Sequence, residues 1–495
     1  MLEEERKYEV DARFAVPDLR GCLPDGGEIV AVPPAPLRAT YYDTADRRLA
    51  RAGASLRFRR GDPLPWTVKL PTDVAGIRHE ISRAGLPSAI PTELVALVTA
   101  YTRGGALEAA AVLRTTRRVY ELRDRAGRLL AELDDDTVAV LDGQKTRLKF
   151  REIEVERRDG GRKLLDRVEQ VLRTAGARNG HGFVPKHVRA LGTLGPPELT
   201  PPAPALSAMA SAGDVVIRAL RADIARMLAY DPLVRLREPL PDGDTAVHQM
   251  RVGVRRLRTD LRTFRPLLDP LWSNGLRAEL SWLADKLGAA RDAEVLRARL
   301  RRTATVDPLA ALDDADVARL DADLAARHED ALIALDAALD GDRYRVLLDH
   351  LIAAAAAPKV HPTRAALPAP EILPRLVAKP WRQLAFGSDG VSGAGDLDPL
   401  APDDEWHAVR IRAKRARYAT EAVADVQTLL GDHQDAAVAA ETWLAIAHAD
   451  PDDHALAVTA GRLFERERTA VRRARERFPA VWERAHRRRL TGWLP

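Results

Sequence analysis

Up to about residue 195, charged side chains return at every second position, and acids and bases do so together on strand after strand. Alternate residues of a β-strand share a face. Glu3, Glu5 and Lys7 therefore share one, as do Arg57 with Arg59, Arg78 with Glu80, Glu132 with Asp134, and Glu152 with Glu154 and Glu156. Lys69 ends another run, and Leu56, Phe58, Val68, Leu70, Leu133, Ile153 and Val155 stand between them. A sheet ordinarily has one apolar and one solvated face, and any single charged pair is accounted for that way. The whole set is not, because three carboxylates along one strand face repel unless cations join them. A closed antiparallel barrel resolves the pattern, since its interior can enclose a ligand. Arginine and lysine on its wall suit phosphate oxygens, and carboxylates suit Mg²⁺ or Mn²⁺. A triphosphate needs both.

Strands are predicted over Ser55–Arg60, 66–70, 119–122, 129–133 and 150–156, bounded by turns at Gly53, 61–63, 124–127 and 142–143. Helices are predicted over 91–101 and 163–175. The stretch 194–205, LGPPELTPPAPA, reads as a semi-extended linker, because proline fixes φ. Beyond about Ser207 the spacing turns helical, with breaks at 239–243, 358–370 and 387–402. The fold class expected is α+β: an N-terminal eight-stranded barrel over 1–195, a linker over 196–207 and an all-α bundle over 208–490. A length of 495 residues and a hydrophobic content of 46% allow two or more packed cores. The single cysteine, Cys22, excludes an intramolecular disulfide and a cysteine zinc cluster. No apolar run is long enough for a membrane span, the acidic start is unlike a signal peptide, and a cytoplasmic location is expected.

The helical half repeats itself. His248-Gln-Met-Arg251-Val-Gly-Val-Arg255-Arg256-Leu-Arg258 matches His407-Ala-Val-Arg410-Ile-Arg-Ala-Lys414-Arg415-Ala-Arg417, both of the form H-x-x-R-[VI]-x-x-[RK]-R-x-R. LGAARD, ending at Asp292, and LGDHQD, ending at Asp435, follow at different distances, so two diverged copies with an insertion or deletion are expected. On a helix, His248, Arg251, Arg255, Arg258, Arg262 and Arg265 fall within roughly 100° of arc, beside an apolar stripe of Met250, Val254, Leu257, Leu261, Phe264 and Leu268. One basic helix face is ordinarily the wet side of a bundle. Six bases with no acid among them repel at i,i+3 and i,i+4, and the recurrence of the stripe argues for a bound polyanion. The residues at i+3 from each histidine are arginines, which argues for phosphate contact over metal ligation. No aromatic stacking platform accompanies the stripe, which disfavours nucleic acid.

Two families are resembled. EEERK, with Glu3, Glu5 and Lys7, follows the E-x-E-x-K pattern of the CYTH family, the triphosphate tunnel enzymes. YYDTAD from Tyr41, GASLRFR from Gly53, WTVKL around Lys69, RHE from Arg78, LLAELD to Asp134, REIEVE to Glu156 and VPKHVRAL around Lys186 follow in the family's order. The resemblance implies a tunnel that binds triphosphate with a divalent metal, Mg²⁺ or Mn²⁺. Lys7, Arg57, Arg59, Lys69, Arg78 and Lys186 would hold phosphate, joined by Arg117 or Arg118. Glu3, Glu5, Glu154 and Glu156 would serve metal or water, with Glu152 a substitute, and the further acid is Asp134, Asp135 or Asp136. DPLVRL from Asp231, VHQMRVGVRRLR from Val247 and the second histidine segment resemble the CHAD family, a pseudo-symmetric helical bundle. That resemblance implies inorganic polyphosphate binding through the two stripes, with Arg262 included. The expected function is hydrolysis of inorganic triphosphate beside a polyphosphate-binding domain. The alternatives are an inactive polyphosphate scaffold, or adenylate cyclase or thiamine-triphosphatase chemistry in the same tunnel.

Overall fold

The computed structural model describes residues 2–178 except 73 and 75, 184–195, 206–417 except 208, 242 and 389, and 424–487; the side chain of Arg417 is not described. The chain divides into two compact units, Met1–Pro201 and Pro202–Pro495. Most of the proline-rich segment lies outside the described residues.

The first unit is a closed antiparallel barrel: β1 (Leu2–Val10), β2 (Glu28–Asp43), β3 (Ser55–Arg60), β4 (Trp66–Pro71), β5 (Ile77–Arg83), β6 (Glu108–Arg123), β7 (Leu129–Asp142) and β8 (Lys145–Arg157), in the order β1-β5-β4-β3-β2-β6-β7-β8 and back to β1. Its polarity is inverted. Ile153 and Val155 of β8 and Leu133 of β7 point outward, where they pack with Leu164, Leu165, Val168 and Leu172 of a covering helix, Arg162–Thr174. Burying each such side chain contributes about 1.5–3 kcal/mol, so the apolar alternates are held outside and the charged ones are left to line the interior.

Short helices complete this unit: α1 (Arg48–Arg51), α2 (Thr92–Leu97), α3 (Thr99–Thr102), the covering helix α4 and α5 (Lys186–Leu191). The single helix predicted over 91–101 is thus two short pieces, interrupted at Val98. The strand β2 is not legible from periodicity, because Pro33, Pro34 and Pro36 argue against a paired strand. The register shift between Val32 and Ala35 absorbs Pro33 and Pro34 in a bulge, where a missing N–H costs no ladder bond.

The second unit is helical among its described residues: α6 (Ala212–Leu236), α7 (Ala246–Thr263), α8 (Pro270–Ala304), α9 (Asp314–Asp340), α10 (Asp342–Ala356), α11 (Pro362–Ala365), α12 (Ala369–Phe386), α13 (Asp403–Arg417), α14 (Ala424–Ala447) and α15 (His454–Ala485). The two histidine segments lie on α7 and α13, and the two glycine–aspartate segments on α8 and α14. In the first copy the motifs are separated by the end of α7 at Thr263 and by 18 residues of α8 before Gly288, whereas in the second copy residues 418–423, between the motifs, lie outside the described residues. Met250, Val254, Leu257 and Leu261 of α7 are fully buried. Gly253 lets α7 close on α6, since a Cβ there would stand 3.3 Å from the Met227 nitrogen.

The helix ends at Thr263, before Pro266. The predicted stripe therefore stops short of Arg265 and Leu268, and Phe264 is only partly buried. The two copies meet through Leu300, Leu320 and Leu324 against Ala439, Trp443 and Leu463, and through the buried Arg299–Glu467 ion pair.

Candidate functional site

The strand registers sort the barrel's interior charges into an acidic wall and a basic wall. On the acidic side, β7, β8 and β1 place residues directly opposite one another in rows. Glu132 faces Glu156, which faces Glu5. Asp134 faces Glu154, which faces Lys7. Asp136 faces Glu152, which faces Glu9. The basic side carries Arg57 and Arg59 on β3, Lys69 on β4 and Arg117 on β6. Lys186, the first residue of α5, reaches into the same interior. The cavity between the walls holds about 440 Å³ and is lined by Glu3, Glu5, Lys7, Arg57, Arg59, Lys69, Arg78, Arg117, Asp134, Glu154, Glu156 and Lys186 among the residues singled out from sequence.

The structure separates alternatives that the sequence leaves open. Arg117 points inward, while Arg118 is more than half exposed, 4.0 Å from Asp135. Asp134 and Asp136 line the cavity, and Asp135 faces out to Arg151 at 2.7 Å. Glu152 departs from its expected place. It is buried but does not line the cavity, and is held by Lys186 at 3.2 Å and Arg189 at 3.1 Å. Tyr41, Glu80, Glu132, Arg158 and His187 line the cavity and were not singled out as site residues. Glu80 and Glu132 obey the same alternation as their neighbours, which is a usable signal. His187 had none. Its ring stacks on Tyr41, 5.0 Å between centroids, and nothing in a helical K-H-V-R run announces that.

Among the described residues, the acids that can converge on one ion do not include the β1 pair, Glu3 and Glu5, expected to serve metal or water. Asp134, Asp136 and Glu154 can bring one oxygen each within 4.8 Å of the others. Glu3 is instead held by Lys69 at 2.5 Å, Glu5 lies 3.4 Å from Lys7, and Glu156 pairs with Arg158 at 2.5 Å. The triad suits a hard divalent cation such as Mg²⁺ or Mn²⁺. All its donors are carboxylate oxygens, and the Asp134 Oδ1 is buried without a hydrogen-bond partner. Lys186 holds Asp136 at 2.7 Å and Glu154 at 2.5 Å, and Arg117 holds Asp134, Asp136 and Glu154.

Proton affinities follow from this sorting. Burial works against Glu154's charge, yet Lys186, Lys7 and Arg117 hold it well below the usual carboxylate range. Lys69 and Arg57 likewise outweigh burial and hold Glu80 at about 2. Burial, with Asp136 and Glu154 nearby, pushes Asp134 up to about 7 despite Arg117. Burial and Glu3 push Glu156 to about 8. Burial and then Arg78 and Lys7 lower His187 to about 3, so its ring is neutral.

The raised groups have a signed consequence. Between its unfolded value and its folded one, each of Asp134 and Glu156 is protonated in the folded state and ionised in the unfolded state. Their contribution is therefore full below about pH 4 and is lost as pH rises to about 7 and 8. In metal-free buffer, the barrel's melting temperature should fall between pH 5 and 8. Glu156→Gln should make that fall shallower, and added Mg²⁺ or Mn²⁺ should recover stability at pH 8. Equal slopes for the two proteins in calorimetric scans would contradict the assignment.

In the second unit, the two copies of the histidine motif bring one basic group each to a shared cleft. Arg251 and Arg255 of α7 act electrostatically on Arg410 and Lys414 of α13, and burial with these neighbours pushes Lys414 down to about 7. The pairing within each copy is the same: Arg251 meets Asp292 at 3.0 Å, and Arg410 meets Asp435 at 3.7 Å. The histidines stand beside equivalent positions, His248 beside Arg291 and His407 bonded to Gln434 at 2.6 Å. Gly288 leaves room for the Arg251 guanidinium 3.7 Å from where a Cβ would be. The Arg410 Nε is buried and unpartnered.

Four expected contact residues lie elsewhere. Arg256 turns to Asp223 of α6 at 3.5 Å, and Arg262 and Arg415 line a different cavity. Arg258 donates to the Ser281 hydroxyl at 3.1 Å. Residues 418–423, which follow the second motif, lie outside the described residues. No helix among the described residues is long and apolar enough to cross a membrane.

Comparison with known proteins agrees with both units. The CYTH domain model matches residues 1–177 and the CHAD domain model residues 218–444. An uncharacterized protein of Mycobacterium tuberculosis H37Rv, Rv2226, is 33% identical over 520 residues, covering 97% of this chain and 95% of that protein. PptA from Streptomyces chartreusis is 24% identical with a TM-score of 0.45, covering 55% of this chain and 100% of its own. The CHAD domain of the plant Ricinus communis is 24% identical with a TM-score of 0.42, covering 58% of this chain and 96% of its own. With a full-length relative and both domain models in this order, the chain belongs to the family of proteins in which a CYTH domain is followed by a CHAD domain.

Proposed function

We propose that the barrel hydrolyses inorganic triphosphate with a divalent metal and that the helical unit binds inorganic polyphosphate. The observation that carries the first part is the sorted interior: one cavity, an acidic wall with a compact carboxylate triad, and a basic wall facing it. The Arg57 Nε is buried without a partner on the basic wall, a donor that a phosphate oxygen would satisfy. Asp134, Asp136 and Glu154 would hold Mg²⁺ or Mn²⁺, which when bound supplies charge neutralisation on the phosphoryl oxygens. Arg57, Arg59 and Lys69 would clamp the phosphate chain. Lys186 and Arg117, which now neutralise the triad, would become free to follow the substrate's charge. Glu5, beside Lys7 and opposite Glu156, would orient the attacking water and take its proton as the new P–O bond forms and the anhydride P–O bond breaks. Catalysis of this kind is mostly positioning and electrostatics.

The test is phosphate release from tripolyphosphate, ATP, thiamine triphosphate and long-chain polyphosphate, with Mg²⁺ or Mn²⁺ and with chelator. Tripolyphosphate is expected to be turned over fastest, with activity abolished by chelator. Release of pyrophosphate and a cyclic nucleotide from ATP would replace hydrolase by cyclase chemistry. No turnover of any substrate would leave the barrel a binding module.

A further inference from the structure

The second unit carries another basic cavity, of about 620 Å³, whose basic lining comes from four helical segments: Arg262 at the end of α7, Arg265 just beyond it, Arg277 on α8, Arg375 and Lys379 on α12, and Arg415 on α13. No carboxylate lines it. In the cleft around Arg410, each copy supplies an aspartate to its arginine. Here, among the described residues, none of the six has an ion-pair partner. The Arg277 Nε is buried and unpartnered, and burial with Arg262, Arg258 and Arg265 around it lowers that guanidinium's proton affinity. Burial and Arg262 do the same to Arg415. Six like charges around one hollow repel unless an anion joins them.

The internal repeat shows that this concentration is not a by-product of duplication. Arg226-Met-Leu-Ala-Tyr of α6 aligns with Arg382-Gln-Leu-Ala-Phe of α12, which sets Asp223 opposite Lys379 in the two copies. Arg256 and Arg415 are likewise equivalent in the histidine motif. In the first copy, Arg256 is neutralised by Asp223, which also hydrogen-bonds Asp260. In the second copy, the aspartate's place is taken by Lys379, and Arg415 opens onto the cavity instead. One copy has compensated its charge and the other has added to it.

We propose that this cavity is a second anion site, taking one compact, multiply charged phosphate group, pyrophosphate-like in size and charge, separately from the cleft at Arg410 and Lys414. Arginine forks on several sides suit a group with many acceptor oxygens. The group is either a free pyrophosphate or the doubly charged end of a longer chain. The site stands whether or not the barrel is a hydrolase and whether or not the cleft binds polyphosphate.

Lys379 is solvent-exposed and reports on this cavity alone. In the full-length protein at fixed ionic strength, the acylation rate of Lys379 would be followed by mass spectrometry while inorganic pyrophosphate is titrated. Saturable protection is expected. Arg277→Gln with Arg375→Gln should raise the half-protecting concentration at least ~10-fold, with helicity unchanged. Arg410→Ala with Lys414→Ala should leave it in place. Long-chain polyphosphate in the same assay separates the two sources: protection that persists in the Arg410/Lys414 variant places a chain end in the cavity, and protection by pyrophosphate alone makes the free anion the ligand. The proposal is overturned by protection no stronger than that from sulfate at matched ionic strength. It is equally overturned by an unchanged midpoint in the Arg277/Arg375 variant, or by protection that vanishes when Arg410 and Lys414 are removed, which would make the cavity an arm of the cleft.

Discussion

Arg57→Ala and Glu5→Gln should each lower tripolyphosphate turnover by at least ~100-fold, the loss that follows removal of one preorganised electrostatic partner. The two stand on opposite walls of one cavity, so they should fail differently. Arg57 offers a buried, unpartnered Nε toward the substrate, and its loss should raise KM as well as lower kcat, because phosphate contact begins in the ground state. In the proposed reaction Glu5 orients water rather than phosphate, so its loss should fall mainly on kcat. Steady-state kinetics on purified variants, with melting temperatures to confirm folding, decide the matter. Near-normal turnover in both would remove these residues from the site. A fall in KM for Glu5→Gln would fit relief of repulsion between a carboxylate and the incoming phosphates.

Replacing Arg251, Arg255, Arg410 and Lys414 together by alanine should remove most polyphosphate affinity from residues 202–495 while leaving helicity intact. That unit is compact with its own buried apolar core, and the four side chains are only partly buried and absent from that core. Each lost phosphate contact should lower the salt dependence of binding, by about 1 in log–log slope, because fewer counterions are released. Titrations with polyphosphate, RNA and DNA of matched charge read both effects. Equal affinity for the three would reduce the cleft to a general polyanion binder. Undiminished polyphosphate affinity in the variant would move the ligand away from it. Lys414 adds a pH signature. Its proton affinity is lowered to about 7 by burial, Arg410, Arg255 and Arg251, so it should take up a proton when an anion binds near neutral pH.

Much of the barrel was legible because charge alternation survives in a strand whatever its neighbours are. Glu152, Glu154 and Glu156 declare a common face without any knowledge of the fold. The same rule could not say which face of the Arg114–Arg118 run is inward, since β6 is charged on both sides of the pleat. It could not find β2, where Pro33 and Pro34 fall in a bulge. In the helical unit, the repeat itself revealed that two basic helices correspond. It did not reveal that Arg256 is spent on Asp223 or that Arg415 faces a different cavity, because both depend on what α6 and α12 place beside them.

What the sequence determined alone was periodicity and order: two units, a period of two giving way to helical spacing, an inverted charge pattern that only a closed sheet can use, and a duplicated basic motif. These are local properties, fixed by the geometry of strand and helix. The tertiary structure decided which charges meet. Asp134, Asp136 and Glu154 became the compact acid triad because β7 and β8 pair in one register and Lys186 arrives from a helix thirty residues beyond. Arg251 and Arg410, 159 residues apart in sequence, share a cleft because two copies pack together. Coulomb interactions depend on distance and burial, and neither is written in spacing along a chain.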